Sequence, residues 1–170
     1  NLLNFSMVRT KTSTLFSKRL DLKPLIEEVL EGHKVAILFR ELDLRCVLQS
    51  VQVNGDGEKL RIMVDNLVSN AIKYSPNNKP LWVMLSKRGN NAIIEVADSG
   101  PGIPEAQHER IFEAFFQGTP ANKSHVRGSG LGLSIAREYA QAHGGDITVV
   151  KPKSVGACFR VVLPLEHIHD

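Results

Sequence analysis

Residues 81–97, LWVMLSKRGNNAIIEVA, constrain the fold more than any other stretch. Two apolar runs flank Gly89-Asn90-Asn91, a turn that folds the second run back beside the first. A chain with this hairpin has an antiparallel sheet near its centre. DITVVKP and ACFRVVLPL form a second such pair around Ser154-Val155-Gly156. A short strand at Leu20 and the alternating RCVLQSVQV, closed by the turn signal NGDG, supply the remaining strands. Between them run helical patterns. After Asp21, a candidate N-cap, LKPLIEEVLEGHKVAILFREL sets Leu25, Ile26, Val29, Leu30, Val35 and Leu38 at helical spacing. DGEKLRIMVDNLVSNAIKYS is a second helix, stopped by Ser75-Pro76-Asn77-Asn78. PEAQHERIFEAF reads as a short helix with Pro104 near its first turn, and a polar stretch without periodicity follows. LGLSIAREYAQAHGG is a helix ended by Gly144 and Gly145. The order predicts an α+β fold: one mixed, mostly antiparallel sheet of about five strands with three helices on one face.

The 170 residues suffice for one domain with its own core, and hydrophobic (42%) and charged (23%) fractions are those of a globular protein. The net charge of +3 is spread along the chain without a basic run, which argues against nucleic acid as a partner. Cys46 and Cys158, far apart in apolar contexts, read as buried thiols in a reducing compartment. No apolar run approaches the length of a membrane span, and no signal peptide is present. The chain begins at Asn1 rather than methionine, as a fragment of a longer protein would. Its opening NLLNFSMVR is apolar at helical spacing and decays into KTSTLFSKR, the pattern of a helix end followed by a linker.

Residues 65–75, DNLVSNAIKYS, pose a chemical question. Asparagine is a poor helix-interior residue, costing about half a kcal/mol relative to alanine. Yet Asn66 and Asn70 stand one turn apart, with Lys73 on the same narrow arc. Leu60, Val64, Leu67 and Ala71 occupy the neighbouring arc that faces the core. The polar ridge therefore runs along the edge of the core, where a pocket can open. Amide oxygens are hard, neutral ligands suited to Mg²⁺ that already carries phosphate charge. Lys73 adds a point charge for phosphates and Tyr74 a hydroxyl. An amphipathic helix whose asparagines merely meet water explains the same residues.

Three further stretches carry chemistry. In ADSGPGIP, Asp98 ends a strand beside Gly100 and Gly102, so its carboxylate can accept from an exocyclic amine such as that of adenine; an ordinary turn has the same composition. In RGSGLGLS, Gly128, Gly130 and Gly132 precede a helix whose free N–H groups and dipole suit phosphate. A hinge without a ligand is the alternative, and the position late in the chain argues against a Rossmann site. FEAFFQG clusters Phe112, Phe115 and Phe116. Phe112 and Phe115 read as core, and the pair leading into Gly118 can also anchor a movable lid carrying Lys123, His125 and Arg127. The remaining histidines have no metal-ligand spacing, and Asp56 and Glu58 read as helix-start acids.

Taken in order, these stretches resemble the catalytic ATP-binding domain of bacterial sensor histidine kinases, in the GHKL superfamily. DNLVSNAIKYS resembles the N box, DSGPGIP the first glycine box, FEAFFQG the F box and GSGLGLSIA the second glycine box. The likeness covers about Leu20 to Leu165, and residues 1–17 resemble the end of the preceding dimerisation and phosphotransfer helix with its linker, leaving 18–170 as the catalytic domain. The resemblance implies a Bergerat α/β sandwich that binds ATP and Mg²⁺ under a mobile lid. By position, Asn70 ligates Mg²⁺ and Asn66 supports the metal and phosphate site, while Lys73 and Tyr74 face the nucleotide. Asp98 reads the adenine amine, with Gly100, Gly102 and Ile103 shaping that wall. Phe115, Arg127, Gly128, Ser129, Gly130, Leu131 and Gly132 complete the ATP-binding set, Arg127 as a phosphate contact.

One departure matters. The phosphoacceptor box of the family, a histidine followed by an acidic residue and Leu-Arg-Thr-Pro, is absent. No catalytic residue is therefore expected in this chain, and its γ-phosphoryl acceptor is a histidine of the missing dimerisation domain. At the position of Asn66 the ATPases of the superfamily carry a glutamate that activates water, and an amide cannot serve as that base. Transfer to histidine, and onward to the receiver domain of a response regulator, is then the productive outcome. The resemblance places the domain in the cytoplasm, with the full-length protein in the inner membrane through parts outside this sequence. A GHKL-type serine kinase or hydrolytic ATPase, or a module that binds nucleotide only to gate assembly, are the competing readings.

Overall fold

A computed structural model describes residues 15–114, 116, 131–151 and 155–166. Seven strands and four helices follow one another among them. They are β1 (Lys18–Asp21), α1 (Leu22–Gly32), α2 (Lys34–Phe39), β2 (Asp43–Leu48), β3 (Gln52–Gly55), α3 (Gly57–Tyr74), β4 (Pro80–Arg88), β5 (Asn91–Ala97), α4 (Gly132–Ala142), β6 (Asp146–Val150) and β7 (Cys158–Pro164). The main sheet has the order β2-β4-β5-β7-β6, and β1 with β3 forms a separate two-stranded sheet. Every pair in the main sheet is antiparallel except β2 with β4. The α+β class and the mixed five-stranded sheet are thus as the sequence pattern predicts.

Side-chain alternation assigns the two faces of the sheet. Leu85, Ile94, Val161 and Ile147 form one cross-strand row and are almost completely buried. The next row, Met84, Glu95, Arg160 and Thr148, lies on the other face, where Arg160 Nε donates to Glu95 at 2.7 Å. The helices cover the first face. Leu60, Met63, Val64, Leu67 and Val68 of α3 are fully buried, as are Leu22 and Ile26 of α1 and Ala136 and Ala140 of α4. The apolar arc of α3 thus meets the sheet, and the Asn66–Asn70 ridge is left half-buried at its border.

Four expectations need correction. The helix expected from Leu22 onward breaks at His33, whose backbone (φ −103°, ψ 8°) leaves the helical region while its Nε2 lies 2.7 Å from Asp65 Oδ1 on α3. The alternating run 45–53 is two strands in two sheets, β2 pairing with β4 and β3 with β1. Between them Asp21 accepts from Ser50 Oγ and from Val51 N–H, so the chain is drawn to the first turn of α1 instead of continuing straight. PEAQHERIFEAF forms two 3₁₀ turns, 105–107 and 110–112, in place of an α-helix. Cys46 is exposed on the edge strand β2, whereas Cys158 is buried and its thiol is pushed up to about 11 by burial.

Candidate functional site

The N-terminus of α3 is set by Asp56, whose Oδ1 accepts from the N–H groups of Glu58 and Lys59 at 3.2 and 3.3 Å. Its C-terminus is held by Arg40, which donates to the Ile72 carbonyl at 2.8 Å and to the Ser75 carbonyl. Fixed at both ends, α3 presents its polar ridge to one side. Asn66 Nδ2 donates to the Gly132 carbonyl at 3.0 Å. A carbonyl partner demands a donor, so this bond fixes the orientation of the amide and leaves Oδ1 as the atom turned elsewhere. Asn70, one turn later, is half-buried and its side chain makes no hydrogen bond among the described residues. Lys73 is exposed and Tyr74 half-buried. Burial, and then the Asp98 carboxylate nearby, hold the Tyr74 hydroxyl above its usual range.

Asp98 follows β5 and is 3% exposed. Its N–H donates to the Ala157 carbonyl at 2.9 Å, extending the β5–β7 ladder by one step. Its Oδ1 accepts from Gly100 N–H at 2.8 Å and from Ala157 N–H at 3.1 Å. Oδ2 has no partner among the described residues. Burial raises the Asp98 carboxyl above the ordinary carboxylate range, against the two N–H bonds that pull it down. A buried carboxylate oxygen left open is an unmet demand for a donor.

The glycines around Asp98 are there for space. A Cβ on Gly100 would stand 2.4 Å from the Tyr74 carbonyl oxygen, and one on Gly156 only 1.9 Å from the Asp98 carbonyl oxygen. Gly102 adopts φ +82° and Gly156 φ +121°, both in the region that favours glycine. Ile103 packs against the core beside them. Ser99 N–H donates to Ser75 Oγ, and Ser99 Oγ to the Pro80 carbonyl, which binds this turn to the end of α3.

On the opposite side, α4 begins at Gly132, and no side chain among the described residues caps it. Leu131 is buried, and its carbonyl accepts from Ser134 Oγ at 2.8 Å. The structure therefore joins Gly132, Asn66, Asn70, Tyr74, Gly100 and Asp98 along one side of α3. Lys73 shares the helix end but stays exposed. Phe115, Arg127, Gly128, Ser129 and Gly130 lie outside the described residues. Pattern reading missed Ala157 and Gly156, which complete the Asp98 site through backbone atoms; the only mark in the sequence was the turn signal at Ser154-Val155-Gly156.

Residues 55–167 match the family described as histidine kinase-, DNA gyrase B- and HSP90-like ATPase. The chain belongs to this ATPase family. Binding of ATP goes with membership, and the ATPase fold is borne out by solved structures. The mycobacterial sensor histidine kinase MprB superposes with a TM-score of 0.76 at 29% identity, over 89% of this chain and 99% of that one. Full-length ShkA, solved in complex with AMPPNP, gives 0.83 at 25% identity over 99% of this chain and 35% of its own. In sequence, the sensor-like histidine kinase SenX3 of Mycobacterium bovis is 38% identical over 153 residues, 88% of this chain and 37% of SenX3. The sensor histidine kinase GlrK of Escherichia coli is 33% identical over 147 residues, 86% of this chain and 31% of GlrK. This ATPase-family chain thus spans only about a third of the length of SenX3 and GlrK. Among its described residues, no helix is long and apolar enough to cross a membrane.

Proposed function

We propose that this chain is the kinase unit of a sensor histidine kinase, holding Mg²⁺-ATP and delivering the γ-phosphoryl to a histidine on a dimerisation domain. Residues 18–170 are the catalytic unit, and 1–17 the linker and end of the dimerisation helix. The observation that carries the nucleotide reading is the open, buried Asp98 Oδ2. An exocyclic amine is a fitting donor for it, beside the turn that packs Gly100 on Tyr74 and Gly102 on Gly156, with Ile103 next to them. The metal reading fits the same strip. Asn70 has an uncommitted amide and Asn66 an oxygen left over after its bond to Gly132, both neutral and hard. When bound, Mg²⁺ neutralises phosphate charge during in-line transfer.

The residues of the chain bind and orient. Asp98 and its glycines fix the base, Tyr74 borders it, and the first turn of α4, at Gly132, Leu133 and Ser134, points its N–H groups toward phosphate. Lys73, Phe115, Arg127, Gly128, Ser129, Gly130 and Leu131 complete the nucleotide-facing set. Asn66 selects transfer over hydrolysis: an amide, already donating to Gly132, cannot take a proton from water. The acceptor histidine, any general base and the response regulator belong to other domains, in a protein whose catalytic part faces the cytoplasm. The test is incubation with γ-labelled ATP, with and without a separately supplied phosphoacceptor domain. The expected result is labelled phosphohistidine on that domain only. Rapid release of free phosphate without the acceptor would overturn the proposal in favour of a hydrolytic ATPase.

A further inference from the structure

Among the described residues, two hydrogen bonds tie the two helices of the site. One tie is Asn66 Nδ2 to the Gly132 carbonyl, at the nucleotide end. The other is remote: the Asp56 N–H donates to His143 Nε2 at 3.0 Å, in a spot where Asp56 is 5% and His143 2% exposed. At helical rise, Asp56 and Asn66 are roughly 15 Å apart along α3, and Gly132 and His143 roughly 16 Å apart along α4. The matched spacing means that α3 and α4 run antiparallel, with a pin at each end of α4. Because Nε2 accepts, the ring proton sits on Nδ1, which donates to the Tyr139 carbonyl at 2.7 Å. The imidazole is thereby neutral, in one tautomer, and bonded on both edges.

Asp56 connects this pin to the entering chain. Its Oδ1 caps α3, while Oδ2 accepts from the Phe16 N–H at 3.1 Å and lies 3.8 Å from Lys59 Nζ. Lys59 in turn stands 5.6 Å from the centre of the Tyr139 ring. Gly55 leaves the room the ring needs: a Cβ there would stand 3.0 and 3.1 Å from His143 Cδ2 and Nε2, and 2.7 Å from Leu60 Cδ1. One residue of the linker, the start of α3 and the end of α4 therefore converge on one buried junction.

We propose that His143 is a positioning residue for the nucleotide site: through the Asp56 N–H it sets the register of α4 against α3 and ties both helices to the chain entering at Phe16. The role rests on the nucleotide-binding reading above. A shift of the linker at Phe16 moves Asp56, and with it the two helices that carry Asn66, Asn70 and Gly132. The same path in reverse lets a bound nucleotide steady the Phe16 bond.

The test uses the whole chain, titrated calorimetrically with a non-hydrolysable ATP analogue and magnesium, in three variants. In His143→Gln the side-chain oxygen reaches the place of Nε2 and keeps the Asp56 bond. In His143→Asn the amide nitrogen replaces Nδ1 and keeps the Tyr139 bond, but nothing accepts from Asp56. Gly55→Ala keeps the imidazole and crowds it out of place. The expected result is affinity within about twofold of the parent for the glutamine form and a loss of about fivefold or more for the other two. Amide exchange at Phe16 should slow on adding the analogue in the parent and glutamine forms, and not in the asparagine form. Equal affinity of the glutamine and asparagine forms, whether parent-like or equally weak, reduces His143 to packing and overturns the proposal. Should a variant fail to fold, the parent alone decides: a Phe16 amide indifferent to the analogue, or ring ¹⁵N shifts showing the Nε2–H tautomer, overturns it. If the parent does not bind the analogue at all, the nucleotide reading itself has failed, and the inference falls with it.

Discussion

Replacing Asp98 by asparagine isolates the base-recognition atom, because the structure dictates how the new amide must sit. The N–H groups of Gly100 and Ala157 both point at Oδ1, at 2.8 and 3.1 Å. In Asp98→Asn the amide oxygen is forced into that position, and the amide NH₂ takes the place of the open Oδ2. A donor then faces the exocyclic amine of adenine. One hydrogen bond to a charged acceptor is lost, about 1.5–3 kcal/mol, or roughly 10- to 150-fold in affinity. The 6-oxo group of guanine accepts where adenine donates, so GTP binding should strengthen as ATP binding weakens. Stability should behave differently from affinity. Burial raises the Asp98 carboxyl in the folded chain, so ionisation takes stability away as pH rises from the ordinary carboxylate range through the raised value. The amide does not ionise, and the variant should melt no lower than the parent at neutral pH. The assay is competitive titration with ATP and GTP beside thermal unfolding. A variant that keeps the parent preference for ATP would refute the assignment of Oδ2.

Two further outcomes follow from packing and charge. Gly100→Ala sets a methyl 2.4 Å from the Tyr74 carbonyl and should cost about 1–3 kcal/mol in chemical unfolding, with weaker nucleotide binding, whereas Gly32→Ala, with nothing within 4 Å, should be neutral or stabilising. Arg137 donates to both Asp146 oxygens and stacks 4.7 Å from the Phe112 ring centre, so Arg137→Gln should cost about 1–2 kcal/mol. Burial alone would raise the Asp146 carboxyl, but the Arg137 and Ile147 bonds win and hold it below the usual range. That contribution is present above the unfolded carboxylate range and is lost as pH falls through the folded value. The glutamine variant should therefore show a shallower loss of stability on acidification, measured by denaturant unfolding at stepped pH.

Local order was legible in the sequence, and long-range order mostly was not. The β4–β5 hairpin was readable because its turn and both strands are contiguous; the structure only shortens the loop to Gly89 and Asn90, with Asn91 already paired to Arg88. The amphipathic arc of α3 was readable from spacing alone, and Leu60, Val64, Leu67 and Ala71 are all buried. The split of residues 45–53 was hidden, since alternation continues through the break and the cause is Asp21, some thirty positions away. His33 ends its helix with a contact to Asp65 on another element, again invisible to a local pattern. At the site, the N-box asparagines and Asp98 stood out as residue types. Their surroundings did not: Asp98 owes its geometry to Ala157 and Gly156, and Asn66 to a carbonyl at Gly132. His143 showed only that it lacks metal-ligand spacing, because the bond that gives it a role joins it to a backbone N–H 87 positions away.

The central claim is that the amide ridge of α3 holds the cation that anchors the nucleotide. The most direct measurement is calorimetric titration of an ATP analogue with and without Mg²⁺, in the parent chain and in Asn70→Ala, with circular dichroism to verify the fold. The account predicts that magnesium tightens binding in the parent by about tenfold or more, and that the alanine variant, equally folded, loses this increment while keeping its metal-free affinity. An unchanged magnesium increment in the variant would contradict it.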